Sequence, residues 1–164
     1  RPADTVIAYD VARDNTAATI AAAWLDSDGD PVTAVAWSSA DVRDLDGYLR
    51  RLWADGYRRI VADPTGPTRL VAETLLDDGI GGIGAYTDYQ DACQELIDRV
   101  KTGTVSHVQS SAVIAAIQAA HPRITSRGTD FDAARSDGPI DALRATALAV
   151  HETRHLAKPQ MQIW

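Results

Sequence analysis

Four aspartates stand where packing alone does not explain a carboxylate. Asp10 closes the apolar run Thr5-Val6-Ile7-Ala8-Tyr9, and Asp63 closes Arg59-Ile60-Val61-Ala62. Asp137 and Asp141 open the last long amphipathic segment, on either side of Gly138-Pro139-Ile140. An unpaired charge buried among apolar neighbours costs on the order of several kcal/mol, and a divalent cation is one agent that offsets it. Two Mg²⁺ or Mn²⁺ ions about 4 Å apart need shared oxygen ligands, and carboxylates are the hard donors these ions prefer. In such a centre one ion activates an attacking water and the other stabilises the 3′-oxygen that leaves as a phosphodiester breaks. The competing explanation is local, because an Asp at a strand end is often a turn former or a helix cap. Asp14 fits either role, assisting the site or shaping the turn after Asp10.

A second pattern competes with the first. His151-Glu152-Thr153-Arg154-His155 matches the H-E-x-x-H zinc-protease motif, whose two histidines share one helical face. Such a site needs a third ligand downstream, and Leu156 to Trp164 contain no Asp, Glu, His or Cys. The motif therefore also reads as a solvated helix end, with His155 and Lys158 complementing the dipole. His107 could orient a ligand or meet a phosphate, although a lone His is more often structural. Arg13, Arg69, Lys101, Arg123, Arg127, Arg135 and Arg144 are the candidates for a DNA-facing basic patch, or are simply surface. Trp24, Trp37 and Trp53 fall in expected strands or a helix and read as packing residues. Trp164, after Ile163, suggests a docking tail.

These residues must be held by a modest chain. Its 164 residues, 45% hydrophobic, suit one domain spanning 1–164 with a sizeable core. The net charge of −7 excludes gripping nucleic acid through bulk positive charge, so DNA contact must come from a local patch or from bound metal. The single cysteine, Cys93, cannot close an internal disulfide and fits a reducing cytosol. No apolar run is long enough to span a bilayer, which predicts a soluble protein without a membrane partner. A start at Arg1-Pro2, without Met, suggests a domain cut from a longer chain.

The periodicity supplies the elements. Thr5–Asp10, Thr16–Leu25 and Pro31–Ser38 read as three strands, the second and third joined by the turn Asp26-Ser27-Asp28-Gly29-Asp30. Ser39 or Asp41 caps a helix to about Ala54 with Val42, Leu45, Leu49 and Leu52 on one face, and Gly56 ends it. A short strand to Asp63 follows, then a helix over Thr68–Asp78 and a glycine-weakened strand over Ile80–Tyr86. Helices over Asp88–Thr102 and Ser110–Ala120 come next. Arg123–Asp137 is polar and irregular, with a hairpin as its ordered alternative. A final helix runs from Pro139 to about Leu156. A meander feeding crossover helices predicts an α/β fold: a mixed sheet, antiparallel meander plus parallel strands, with helices on both faces.

Taken together, the chain resembles the nuclease domains of tailed-phage large terminases, of the ribonuclease H-like type. The likeness runs through Asp10-Val11-Ala12-Arg13-Asp14-Asn15-Thr16 and the strand after it, and through Asp63 after its apolar strand. It continues through Leu96-Ile97-Asp98-Arg99-Val100-Lys101-Thr102-Gly103-Thr104-Val105-Ser106-His107 and closes on Ile140-Asp141-Ala142-Leu143. The resemblance implies Asp10, Asp63 and Asp141 as catalytic metal ligands, with Asp137 a rival or additional ligand, and two Mg²⁺ or Mn²⁺ ions. It implies an endonuclease cutting double-stranded, concatemeric DNA during genome packaging, in the cytoplasm of an infected or lysogenic bacterial host. The implied partners are a terminase ATPase domain, the portal and the small terminase subunit. No G-x-x-x-x-G-K-[ST] phosphate loop occurs, so an ATPase motor belongs upstream. A junction resolvase or transposase core, or a non-catalytic binding module on the same fold, are the alternatives.

Overall fold

The protein is described by a computed structural model covering residues 1–83 and 86–156. The chain end at Trp164, and residues 84–85 of the strand expected over Ile80–Tyr86, lie outside the described residues. Three strands form an antiparallel meander: β1 (Val6–Val11), β2 (Ala18–Leu25) and β3 (Pro31–Ser39). A 3-10 turn over Val42–Asp44 leads into α1 (Leu45–Ala54), which carries the chain back across the sheet. β4 (Arg59–Ala62) then pairs parallel to β1. After α2 (Thr68–Asp77), β5 (Gly82–Ile83) adds parallel to β4 at one edge. α3 (Tyr86–Thr102) crosses to the other edge, where β6 (Ser106–His107) pairs parallel to β3. Among the described residues the sheet order is β5-β4-β1-β2-β3-β6. α4 (Ser111–Ala119), the hairpin β7 (Pro122–Thr125) and β8 (Gly128–Phe131), and α5 (Asp141–Glu152) complete the chain.

The two faces of the sheet are buried by different helices. Ile7, Tyr9, Val11, Ile20, Ile60 and Ala62 pack against Leu45 and Leu49 of α1 and Ala72 and Leu75 of α2. Ala8, Ala21 and Ala23 face α3, α4 and α5 on the other side. Side chains alternate along a strand, so Asp10 lies on the face of Ala8, Thr19 on that of Ala21, and Asp63 on that of Val61. All three therefore belong to the α5 side. The expected mixed sheet with helices on both faces is what the chain forms.

α5 is the helix that closes this side. Ten of its twelve residues are buried, from Asp141 to His151 with only Arg144 excepted, and it packs across β1, β2 and β3. Ala142, Ala145, Ala147 and Ala149 meet Ala8, Ala21 and Ala23, so small side chains line both sides of the seam. Small residues let helix and sheet approach closely, and that brings the first turn of α5 within reach of strand side chains.

Within the strand expected over Ile80–Tyr86, the described residues form strand at Gly82–Ile83, and Gly81 has a packing reason. Gly81 has φ +76°, and a Cβ there would sit 2.9 Å from the Ile60 carbonyl oxygen. The backbone comes too close to β4 for any side chain. The last helix begins at Asp141 rather than Pro139, and it turns 3-10 over Thr153–His155. Among the described residues no helix is long and apolar enough to cross a membrane.

Candidate metal centre

Parallel pairing of β1 with β4 sets Tyr9 beside Ala62, so Asp10 and Asp63 follow side by side at the same ends of neighbouring strands. Each is 2% exposed, and Asp141 is 4% exposed. Each carboxylate has its own hydroxyl donor. Thr68, at the start of α2, accepts the Val11 amide at 2.9 Å and donates to Asp10 Oδ1 at 2.9 Å. Thr65 donates to Asp63 Oδ2 at 2.8 Å. Thr19 of β2 donates to Asp141 Oδ2 at 2.6 Å, across the alanine seam.

One cation lies among these acids. Arg144, one helical turn after Asp141, donates from Nε to Asp10 Oδ2 at 3.0 Å and from its terminal nitrogen to Asp63 Oδ2 at 2.6 Å. The same nitrogen reaches Thr65 Oγ1 at 3.1 Å, and the guanidinium carbon stands 4.1 Å from the centre of the Tyr89 ring. Tyr89 is fixed in turn by its hydroxyl, which donates to the Phe131 carbonyl at 2.8 Å. Asp63 Oδ1 is buried with no hydrogen-bond partner.

The electrostatics follow from one guanidinium serving several acids. Burial pushes the Asp10 carboxyl up to about 6, and the charges of Asp141 and Asp63 add to it, against the pull of Arg144 and the Thr68 hydrogen bond. Burial also raises Asp141 above the usual carboxylate range, outweighing the Thr19 hydrogen bond and the helix amides. On Arg144 burial works against the charge, but Asp10 and Asp63 hold it firmly protonated. The ion pair thus stabilises charge on the arginine while leaving Asp10 short of compensation, and both directions stand. The centre lacks positive charge.

The three acids line one cleft of about 800 Å³, together with Asp14, Arg123 and Asp137. Among the described residues, no group of three His, Cys, Asp or Glu side chains is arranged to hold a metal ion. The Arg144 guanidinium is bonded to both Asp10 and Asp63. The donor chemistry itself suits a hard divalent ion, because the acids line the same cleft and Asp63 Oδ1 has unused acceptor capacity. Asp10, Asp63 and Asp141 are the residues that could hold such an ion, with Asp137 exposed at the rim.

The remaining candidates separate from this centre. Asp14 accepts the Thr16 amide and hydroxyl at 3.1 and 2.6 Å, so it shapes the turn after β1 while bordering the cleft. His107 lies exposed on the edge strand β6, away from the cleft lining. His151 is buried at the end of α5, with Nδ1 2.6 Å from Glu95 Oε2, whereas His155 is exposed on the 3-10 turn. His151 is thus engaged by Glu95, and the second histidine of the motif lies outside the α-helix, on the exposed 3-10 turn. The basic candidates do not form one patch: Arg69 pairs with Glu73, Arg127 with Asp91, and Arg13, Arg123 and Arg144 line the cleft. Arg144 is the member of this cluster that sequence reasoning left among surface candidates. Its signal was a lone cation one turn after Asp141, within the run Ala142 to Val150 that is otherwise apolar or small.

Solved structures supply the relatives of this arrangement. The large terminase nuclease of thermophilic phage G20c with bound magnesium superposes with a TM-score of 0.63 at 19% identity, over 92% of this chain and 82% of that one. The fold is that of a phage large terminase nuclease domain. The Thermus phage P74-26 large terminase nuclease domain matches at a TM-score of 0.61 and 19% identity, over 91% of this chain and 80% of that one. The HK97 bacteriophage large terminase matches at 0.65 and 13% identity, over 93% of this chain and 40% of that one. The G20c nuclease is also matched in its form with bound cobalt, at a TM-score of 0.61 and 18% identity, over 92% of this chain and 82% of that one. The terminase nuclease fold is thus ribonuclease H-like here, as the element order predicts. No protein-family model matches the chain, and no curated protein matches it significantly in sequence.

Proposed function

We propose that this domain is a divalent-metal-dependent endodeoxyribonuclease, the DNA-cutting part of a phage large terminase. The observation that carries the reading is three buried carboxylates, from β1, the end of β4 and the start of α5, around one open cleft. In this reading Asp10, Asp63 and Asp141 are the ligands, and Asp137 supplies an outer ligand at the rim. Bound Mg²⁺ or Mn²⁺, two ions in the full centre, would supply activation of the attacking water and stabilisation of the departing 3′-oxygen. The protein's own part is orientation: Thr68, Thr65 and Thr19 each tie one carboxylate oxygen, which fixes where the remaining oxygens aim. Arg13, which lines the cleft, offers donors for the phosphate backbone, in keeping with contact by local rather than bulk charge, whereas Arg123 on the same lining is held by Asp130 at 2.9 and 2.8 Å.

The biological setting proposed is cleavage of concatemeric double-stranded DNA during packaging, in the cytoplasm of an infected or lysogenic host. The partners would be an ATPase domain upstream in a longer chain, the portal and the small terminase subunit. Plasmid cleavage tests the core of this reading. Wild-type protein should nick or linearise supercoiled plasmid with Mn²⁺ and not with EDTA, and Asp63→Asn should not. Cleavage that persists in Asp63→Asn, or that survives EDTA, rejects it.

A further inference from the structure

The cation already present at the centre has a role of its own. Resting on the reading of the cleft as a divalent-metal site, we infer that Arg144 is a built-in occupant of the cation position, bridging Asp10 and Asp63 until an incoming divalent ion displaces it.

The geometry carries this in three steps. Arg144 uses two different nitrogens to reach two oxygens, Asp10 Oδ2 and Asp63 Oδ2, that belong to adjacent strands. A divalent ion held by these two carboxylates would need the space between them, at roughly 2.1 Å from each ligand oxygen. The guanidinium, bonded to Asp10 at 3.0 Å and to Asp63 at 2.6 Å, takes that space, and its charge would repel the ion. The two occupants exclude each other.

Next, the arginine is an incomplete substitute. It brings one charge to a group of three acids, and Asp63 Oδ1 keeps no partner while it is in place. A guanidinium donates along fixed directions and cannot turn a further N–H toward that oxygen without giving up another bond. An ion has no such directional limit, so the site retains a preference for it.

Finally, the arginine has a way out. Its side chain is 12% exposed against 2% for Asp10 and Asp63, and it borders the open cleft. The head can leave by rotation of its own side chain while α5 stays fixed in the sheet seam. The Tyr89 ring, 4.1 Å away, flanks the guanidinium. Arg144 therefore keeps the acids from repelling one another when no metal is bound, and it sets a threshold that metal must exceed.

The test is metal binding with melting, not cleavage alone. Mn²⁺ affinity of the whole protein is measured by calorimetry for wild type, Arg144→Gln and Arg144→Lys, and each is melted in EDTA and in Mn²⁺. Arg144→Gln should bind Mn²⁺ on the order of tenfold more tightly than wild type, within the range by which one bound group commonly changes the affinity for another. It should also melt lower in EDTA and recover in Mn²⁺. Arg144→Lys keeps the charge but not the two-pronged bridge, and should bind with intermediate affinity. Lysine behaving as wild type would assign the effect to charge alone and overturn the bridge. Equal or weaker Mn²⁺ binding by Arg144→Gln, with wild type binding normally, overturns this inference and leaves the nuclease reading standing. Absence of binding in every form rejects both.

If Arg144→Gln fails to fold, wild type still decides. The Arg144 Nε–H resonance should exchange slowly in EDTA and become solvent-like when Mg²⁺ saturates the centre. A resonance that stays protected while the Val11 amide reports Mg²⁺ binding overturns the inference.

Discussion

The two ends of α5 carry buried ionisable groups, and they differ in how those groups are compensated. At the C-terminal end, Glu95 receives His151 at 2.6 Å and Arg99 at 2.7 Å. Burial raises the Glu95 carboxyl, but the hydrogen bonds of His151 and Arg99 outweigh it and hold the group below its ordinary range. At the N-terminal end burial prevails, and Asp10 and Asp141 are both raised. Each end leaves one buried atom unpartnered, His151 Nε2 and Asp63 Oδ1. The ring nitrogen belongs to a group that can remain neutral, whereas the oxygen belongs to a cluster with surplus negative charge. A motif that resembles a metal site by spelling is thus spent on holding α3 to α5, and the cluster without a motif has the unmet demand for a cation.

The largest test of that contrast exchanges residues at the two ends. Asp141→Ala should lower Mn²⁺-dependent plasmid cleavage by about 10²–10³-fold, the loss expected when a metal ligand is removed. His151→Ala should leave cleavage per folded molecule within about twofold. Loss of bound zinc and of activity in His151→Ala would reverse the assignment of the two ends.

Acidity separates the ends by sign. The folded value of Asp10, about 6, lies above its unfolded value near 3.8, so its stabilising contribution is complete below pH 3.8 and is lost as pH rises through 6. The loss is on the order of 3 kcal/mol in metal-free protein. Glu95 behaves oppositely: its folded value is lowered, so its contribution is present above its unfolded value and is lost as pH falls through the folded one. Urea unfolding in EDTA should therefore show stability falling between pH 4 and pH 7 in wild type and a flatter profile in Asp10→Asn. An unchanged profile in the variant would dissociate Asp10 from the effect.

His151→Ala should also cost about 2 kcal/mol of stability, since it removes a buried hydrogen bond and leaves a void. Denaturant melts that coincide with wild type would make the His151–Glu95 contact incidental. The smallest effect expected is at the rim. Asp137 is exposed, so Asp137→Asn should change Mn²⁺ affinity by no more than about threefold. A loss as large as that of Asp141→Ala would move the third ligand to the rim.

Much of this site could be read before the fold was known, for a physical reason. Asp10 and Asp63 follow apolar strand patterns, and parallel pairing of those strands forces neighbouring ends together. Asp141 could be placed on a helix start but not against Thr19, because the alanine seam that joins them is a contact across 122 residues. Arg144 was opaque for the same reason: its partners lie 134 and 81 residues away. β6 spans two residues and left no periodicity to detect. Gly81 weakens the strand pattern although the close backbone approach to β4 requires it.

The alanine seam has a kinetic consequence. With ten of its twelve residues buried, α5 leaves no slack for shifting Asp141 or the strand ends, whereas the Arg144 side chain borders the open cleft. Rearrangement there is then a side-chain rotation that must first break the bonds to Asp10 and Asp63, without the collective motion of domain closure. The event that precedes metal entry is therefore local: the arginine lets go of two carboxylates while the sheet and α5 hold them in place.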